Sequence, residues 1–201
     1  CESTARFDVI EAGRRSGKTE IVKRLTVLEA LRMGPLWAAK GWTWTAKLCA
    51  PTHKQACDIF WDDLLALTKH WQSRPPNITD RRIFLIGGAE LWVCGLDKPE
   101  RIEGSPVDRL VVDELANVKQ GAWDRHLYPA LATAGRAGRA YLLGVPRPGE
   151  QFDALATLAK DPTATEYAYH NWSSERIVGP KVWAEAKRRR DPILFAQEWE
   201  G

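Results

Sequence analysis

The chain lacks any apolar run near the roughly eighteen residues that a membrane-spanning helix needs, so it offers no transmembrane helix and no membrane partner. It also lacks an apolar leader, because residues 1–12 already carry Glu2, Arg6, Asp8 and Glu11. Charge of one sign is scarce in the balance: the net charge is only +3, so any basic surface for nucleic acid must be local. Its four cysteines, Cys1, Cys49, Cys57 and Cys94, have no metal-ligand spacing and read as free thiols of a reducing cytosol. His53, His70, His126 and His170 have no paired ligands, so no metal is assigned to them. Internal repeats and low-complexity linkers are missing too. What is present is 201 residues, 44% hydrophobic and 27% charged, enough for one substantial core. The ten tryptophans are scattered and carry no motif.

Apolar runs alternate with helical patterns. Phe7–Glu11 reads as a buried strand. Thr19–Met33 is predicted to be a helix with Ile21, Val22, Leu25, Leu28 and Leu31 or Ala30 as its buried stripe, ended by Gly34-Pro35. Thr45–Ala50 is a strand. Thr52 is a predicted N-cap, boxed by Gln55, for a helix burying Ala56, Ile59, Phe60, Leu64 and Leu67. Arg82–Ile86 and Glu90–Cys94 flank Gly87-Gly88 as a hairpin. Leu110–Val112, Ala140–Gly144 and Tyr167–Asn171 are further strands, and Phe152–Lys160 a helix. Alternating strands and helices predict an α/β fold with a largely parallel sheet.

The stretch "VIEAGRRSGKTE", residues 9–20, is a phosphate-binding loop in the right setting, between a strand and a helix. Gly17, Lys18 and Thr19 fit G-x-x-x-x-G-K-[ST]. Ala12 stands where the first glycine belongs, and the glycine falls one place later, at Gly13. Alanine is tolerable at a strand end, since only positive φ demands glycine. Backbone N–H groups of residues 13–19 (Gly13, Arg14, Arg15, Ser16, Gly17, Lys18, Thr19) are expected to curl around a phosphate, helped by the helix N-terminus. Lys18 is placed to reach the β- and γ-phosphates of ATP and Thr19 to hold Mg²⁺. Arg14 and Arg15 have three readings: a γ-phosphate contact in cis, a contact with a neighbour's acidic group, or a solvated pair at a loop tip.

"RLVVDEL", residues 109–115, is an apolar strand ending in two carboxylates. That is the pattern of a Walker B strand, with Asp113 holding Mg²⁺ and Glu114 deprotonating the attacking water. Such a strand downstream of a phosphate loop is a far stronger signal than either motif alone. A glutamate after the Walker B aspartate points away from small-molecule kinases, whose nucleophile is the substrate hydroxyl, and toward hydrolysis coupled to mechanical work.

At this point the chain resembles the N-terminal ATPase domain of the tailed-bacteriophage terminase large subunit, the motor that packages DNA. The resemblance covers nearly the whole chain. It rests on "AGRRSGKTE", "APTHKQACDIFWDDL" (50–64), "RIEGSPVDRLVVDEL", "GRAYLLGVPRPGEQFDAL" (138–155) and "DPILFAQEWEG" (191–201). It implies a P-loop NTPase of the additional-strand (ASCE) type. The implied domain spans residues 1–180, with a helical end at 181–201 leading toward a nuclease domain whose carboxylate cluster this chain does not carry. Val145 stands where the family's coupling turn usually has threonine, so a γ-phosphate-sensing hydroxyl is missing there. The family's adenine-recognition glutamine lies upstream of the first strand and is absent from "CESTAR", so the chain is expected to begin just past it.

The resemblance further implies a homo-oligomeric ring on double-stranded DNA, working with a portal, a procapsid and a small terminase subunit in the host bacterial cytoplasm. Arg101, in "KPERIEG", is the candidate trans-acting arginine finger, a device worth roughly 10³–10⁵ in rate. Its alternative is a loop arginine paired with Glu100 or Glu103. "KRRR", residues 187–190, reads as a solvated or domain-contacting run rather than a DNA-phosphate contact. Two rival functions share the motifs: a helicase-type (superfamily 2-like) ATPase and a nucleotide-binding scaffold that does not hydrolyse.

Overall fold

In the computed structural model, residues 4–133, 135–145 and 149–200 are described. They form a seven-stranded sheet in the order β3-β4-β2-β5-β6-β1-β7. The strands are β1 (Phe7–Ala12), β2 (Trp44–Ala50), β3 (Arg82–Phe84), β4 (Ala89–Gly95), β5 (Arg109–Val112), β6 (Arg139–Gly144) and β7 (Tyr167–Trp172). All neighbours pair in parallel except the hairpin β3–β4. Strand β6 is inserted between β1, which leads to the phosphate loop, and β5, which ends at the carboxylates. That inserted strand defines the ASCE class, so the expected α/β, parallel-rich P-loop fold is the one observed.

Both faces of the sheet are covered, which is why its central strands are apolar on both sides. Along β1, Phe7 and Val9 pack into one core with Val112, Trp123, Leu142, Phe152 and Leu155. Ile10 and Ala12 point to the other, with Val22, Ala30, Phe60, Leu64 and Val111. Each fully buried large apolar side chain contributes about 1.5–3 kcal/mol.

Helix α1 (Lys18–Ala38) covers the second face. It corrects two expectations. The buried stripe is Val22, Lys23, Thr26, Val27, Ala30 and Gly34, about one residue round from the predicted one; Ile21 and Leu28 are exposed. Lys23 enters the stripe because its ammonium pairs with Glu20 and Asp63. The helix also continues through Gly34-Pro35 for one more turn. Pro35 gives up one hydrogen bond, and packing supplies a reason to keep it. Gly34 lies so close to the hairpin that an added Cβ would sit 3.0 Å from the Gly87 oxygen, and Pro35 covers Gly87 itself.

Thr52 caps the next helix as expected, its hydroxyl accepting from the Gln55 N–H at 3.2 Å. This helix, α2, runs as His53–Ala56, a π turn Cys57–Trp61, and Asp62–Thr68. The π turn shifts the apolar face. Ala56, Phe60 and Leu64 are buried together with Trp61, whereas Leu67 is exposed and Ile59 half-buried. Helix α3 (Gln151–Lys160) lies on the first face. Short helices α4 (Glu175–Val178), α5 (Pro180–Arg189) and α6 (Pro192–Phe195, continued by a π turn Ala196–Glu200) complete the chain. Cys1 and residues 146–148 of the stretch 138–155 lie outside the described residues; Cys49, Cys57 and Cys94 are free thiols. Among the described residues no helix is long and apolar enough to cross a membrane.

Candidate nucleotide-binding site

The loop between β1 and α1 shows why its glycine sits at 13 rather than 12. Ala12 is the last strand residue and is buried in the core. Gly13 is required by close approach rather than by φ. A Cβ there would lie 2.3 Å from the Trp199 carbonyl oxygen and 2.4 Å from Ser174 Oγ. Positive φ falls later, at Arg15 (60°) and Gly17 (78°), where the chain turns into α1.

The outer side of the loop is held by the end of β7, by Ser174 just past it and by the chain's helical end. Gly13 N–H donates to the Trp172 oxygen at 3.2 Å and Arg14 N–H to the Glu198 oxygen at 2.6 Å. Trp172 Nε1 donates to the Ser16 oxygen at 3.0 Å, and the Ser174 hydroxyl donates to the Arg14 oxygen. The Arg14 guanidinium lies 3.3 Å from the Glu198 carboxylate, which also pairs with Arg190. These bonds narrow the expected cradle. The amides of Gly13, Arg14 and Ser16 are already spent within the protein, Ser16 on the Gly13 oxygen. The donors left for a phosphate are the Arg15 and Gly17 N–H groups, which have no such bond among the described residues, and those at the start of α1, where helical N–H groups have no intrahelical acceptor. Gly13→Ala is therefore expected to push the helical end off the loop. Limited proteolysis should cut faster within residues 173–200, and the melting temperature should fall.

On the inner side the loop opens into a cleft of about 270 Å³ lined by Arg14, Arg15, Lys18, Thr19, Asp113, Glu114, Asn117 and Val145, among others. Its centre is a contact between two distant motifs: Thr19 Oγ1 donates to Asp113 Oδ2 at 2.7 Å. Burial raises the Asp113 carboxyl above its ordinary value, opposed by the Thr19 hydrogen bond and the Lys18 charge. Burial likewise lowers the Lys18 ammonium, opposed by Asp113. Lys18 Nζ donates to the Ala12 oxygen at 3.1 Å. A hydroxyl beside a buried carboxylate is a set of hard oxygen donors, and one carboxylate plus phosphate oxygens is how Mg²⁺ is usually held. Thr19 and Asp113 therefore fit that ion.

Glu114 follows Asp113 in the left-handed region, φ 54°, a costly conformation for a glutamate and one that clusters at functional sites. Its N–H donates to Asp113 Oδ1 at 2.9 Å. Its Oε2 accepts from Asn117 Nδ2 at 3.1 Å. Sequence reasoning missed Asn117, which no motif marks; its place three residues on, in a 3₁₀ turn Leu115–Asn117, is what brings it back to Glu114.

Arg101 is not in this cleft. It is exposed on a 3₁₀ turn, Pro99–Gly104. Neither Glu100 nor Glu103 pairs with it among the described residues; Glu103 accepts from His126 instead. In the "KRRR" run, Arg189 pairs with Glu185 and Arg190 with Glu198.

Strand order and cleft together define a P-loop NTPase fold of the additional-strand class. Within that class the similarity is to one group of proteins. No protein-family model matches the chain. Two curated relatives, the terminase large subunits of Thermus phage G20c and Thermus virus P23-45, are each 26% identical over 167 aligned residues. The match covers 72% of this chain and 32% of theirs, so the chain spans about a third of the length of these relatives. The large terminase ATPase domain of Thermus phage P74-26 superposes with a TM-score of 0.73 at 19% identity, covering 98% of this chain and 88% of that one. The large terminase of another thermophilic bacteriophage gives 0.74 at 13% identity, covering 98% and 48%. The large-terminase resemblance read from the motifs is thus met again in sequence relatives and in fold.

Proposed function

We propose that this chain is the ATP-hydrolysing motor domain of a terminase large subunit and drives double-stranded DNA into a procapsid. The observation that carries the reading is the Thr19–Asp113 contact with Glu114 beside it in one cleft. The terminase relatives support it. So does the second of the two thermophilic-phage terminases of like fold, which has been crystallised with ATP-gamma-S and with ADP.

In this reading Lys18 and the amides at the start of α1 bind the β- and γ-phosphates. Thr19 and Asp113 hold Mg²⁺, which supplies charge neutralisation for the leaving diphosphate. Glu114 accepts a proton from water as its oxygen attacks the γ-phosphorus, and the bond to the β,γ-bridging oxygen breaks. Arg14 or Arg15 reaches the γ-phosphate in cis, and Arg101 acts on a neighbour's nucleotide in a ring. Residues 1–180 form the ATPase domain and 181–201 its helical end, toward a nuclease domain. The portal and the small terminase subunit are its partners, in the host cytoplasm.

The test measures phosphate release by the purified chain with Mg²⁺, with and without blunt duplex DNA, alongside a fluorophore–quencher strand-separation assay. Duplex-stimulated turnover without strand separation is expected. Strand separation would assign the chain to the helicases instead. Nucleotide binding without phosphate release would make it a scaffold.

A further inference from the structure

Resting on that ATPase reading, we infer that Asn117 is a positioning residue for Glu114: its amide holds one carboxylate oxygen so that the other faces the cleft. Three observations converge on it. First, the Glu114 side chain has three rotatable bonds and starts from a left-handed backbone, so nothing in its own residue fixes where the carboxylate lies. Second, Asn117 fixes it twice over. Its backbone N–H donates to the Glu114 carbonyl at 2.8 Å, closing the 3₁₀ turn, and Nδ2 donates to Oε2 at 3.1 Å. Among the described residues Oε1 has no partner, and it is the oxygen left to receive a proton. Third, the turn that delivers Asn117 is itself anchored from another element. The buried Gln151 at the start of α3 donates Nε2 toward the carbonyls of Val118 at 2.9 Å, Lys119 at 3.1 Å and Leu115 at 3.4 Å. Its Oε1 accepts from the Trp123 N–H at 3.3 Å. A side-chain amide bonding carbonyls on both sides of Asn117 keeps that turn from sliding.

A general base that is held within hydrogen-bond reach works; one that wanders by an ångström can lose about 10² in rate. A hydrogen bond to one oxygen of the carboxylate supplies that placement without consuming the other. This makes Asn117 a residue that acts through Glu114, not one that touches ATP.

The test is a double-mutant cycle on the purified chain: Asn117→Ala, Asn117→Gln, Glu114→Gln, and Asn117→Ala combined with Glu114→Gln. Single-turnover phosphate release, KM for ATP, equilibrium nucleotide affinity and melting temperature are read for each. Asn117→Ala is expected to lower kcat roughly ten-fold or more, with KM and nucleotide affinity unchanged. Asn117→Gln, which keeps the amide donor, is expected to retain more activity. In the Glu114→Gln background the alanine substitution should cost nothing further. An unchanged kcat in Asn117→Ala would overturn the inference. So would an equal loss in the Glu114→Gln background, since Asn117 would then act independently of the carboxylate. A loss that follows the melting temperature and is common to alanine and glutamine would reduce Asn117 to a turn-stabilising residue. If Glu114→Gln itself hydrolyses ATP at the full rate, the ATPase assignment of Glu114 fails first and takes this inference with it.

Discussion

Glu114→Gln is expected to lower single-turnover phosphate release by roughly 10²–10⁴, the usual worth of a positioned general base. Nucleotide affinity and melting temperature should stay near those of the unaltered chain. The substitution is close to isosteric and leaves the local frame alone. The Glu114 N–H bond to Asp113 belongs to the backbone, and so does the bond from the Asn117 N–H to the Glu114 carbonyl. The Asn117 amide still finds an acceptor in the glutamine oxygen. The cleft residues Lys18, Thr19 and Asp113 are untouched. What disappears is the ability to take a proton. Turnover at the unaltered rate would mean that Glu114 is not the base and that another group activates the attacking water. Loss of nucleotide affinity together with turnover would point instead to a carboxylate that shapes the phosphate cradle.

The parts of the fold set by local pattern were legible in the sequence. Each strand lies within a residue or two of its predicted span, because buried parallel strands are short apolar runs bounded by turn residues. The two carboxylates and the G-K-T were legible because the chemistry needs those residue types in that setting. What was not legible came from long-range packing. Periodicity could not tell which apolar stripe of α1 faces the sheet, because Lys23 is buried by its ion pairs while Leu28 is left outside. Nor could it place the end of α1, since Gly34 and Pro35 are usually stop signals and continue here only because the hairpin packs against them. Gly13 looked like a displaced motif glycine. Its reason is the Trp199 carbonyl, almost the whole length of the chain away. Asn117 belongs to the same class, being meaningful only once Glu114 adopts a positive φ and the turn folds back.

Glu29→Ala is expected to cost about 3–5 kcal/mol of stability, because it strands a buried arginine. Glu29 accepts a fork from Arg109, from Nε at 2.6 Å and Nη2 at 2.9 Å. The Arg109 side chain is only 2% exposed, and its guanidinium also lies over the Tyr141 ring, 4.2 Å from the centroid. The pair matters for the cleft because of where it sits. Arg109, Val111 and Asp113 alternate onto the face of β5 that α1 covers. From Thr19 to Glu29 is ten helical residues, about 15 Å at 1.5 Å each; from Asp113 back to Arg109 is four strand residues, about 13 Å at 3.3 Å each. The two contacts therefore tie the first half of α1 to the two ends of β5, and loss of the distal one is expected to loosen the register in which Thr19 meets Asp113. Chemical denaturation of Glu29→Ala measures the cost. The double substitution Glu29→Leu with Arg109→Met, which removes both charges, is expected to recover most of it. If stability returns in the double variant while nucleotide affinity stays low, the ion pair serves register as well as packing. If the single variant loses less than about 1 kcal/mol, water reaches Arg109, and the fork does not fix the helix over the strand.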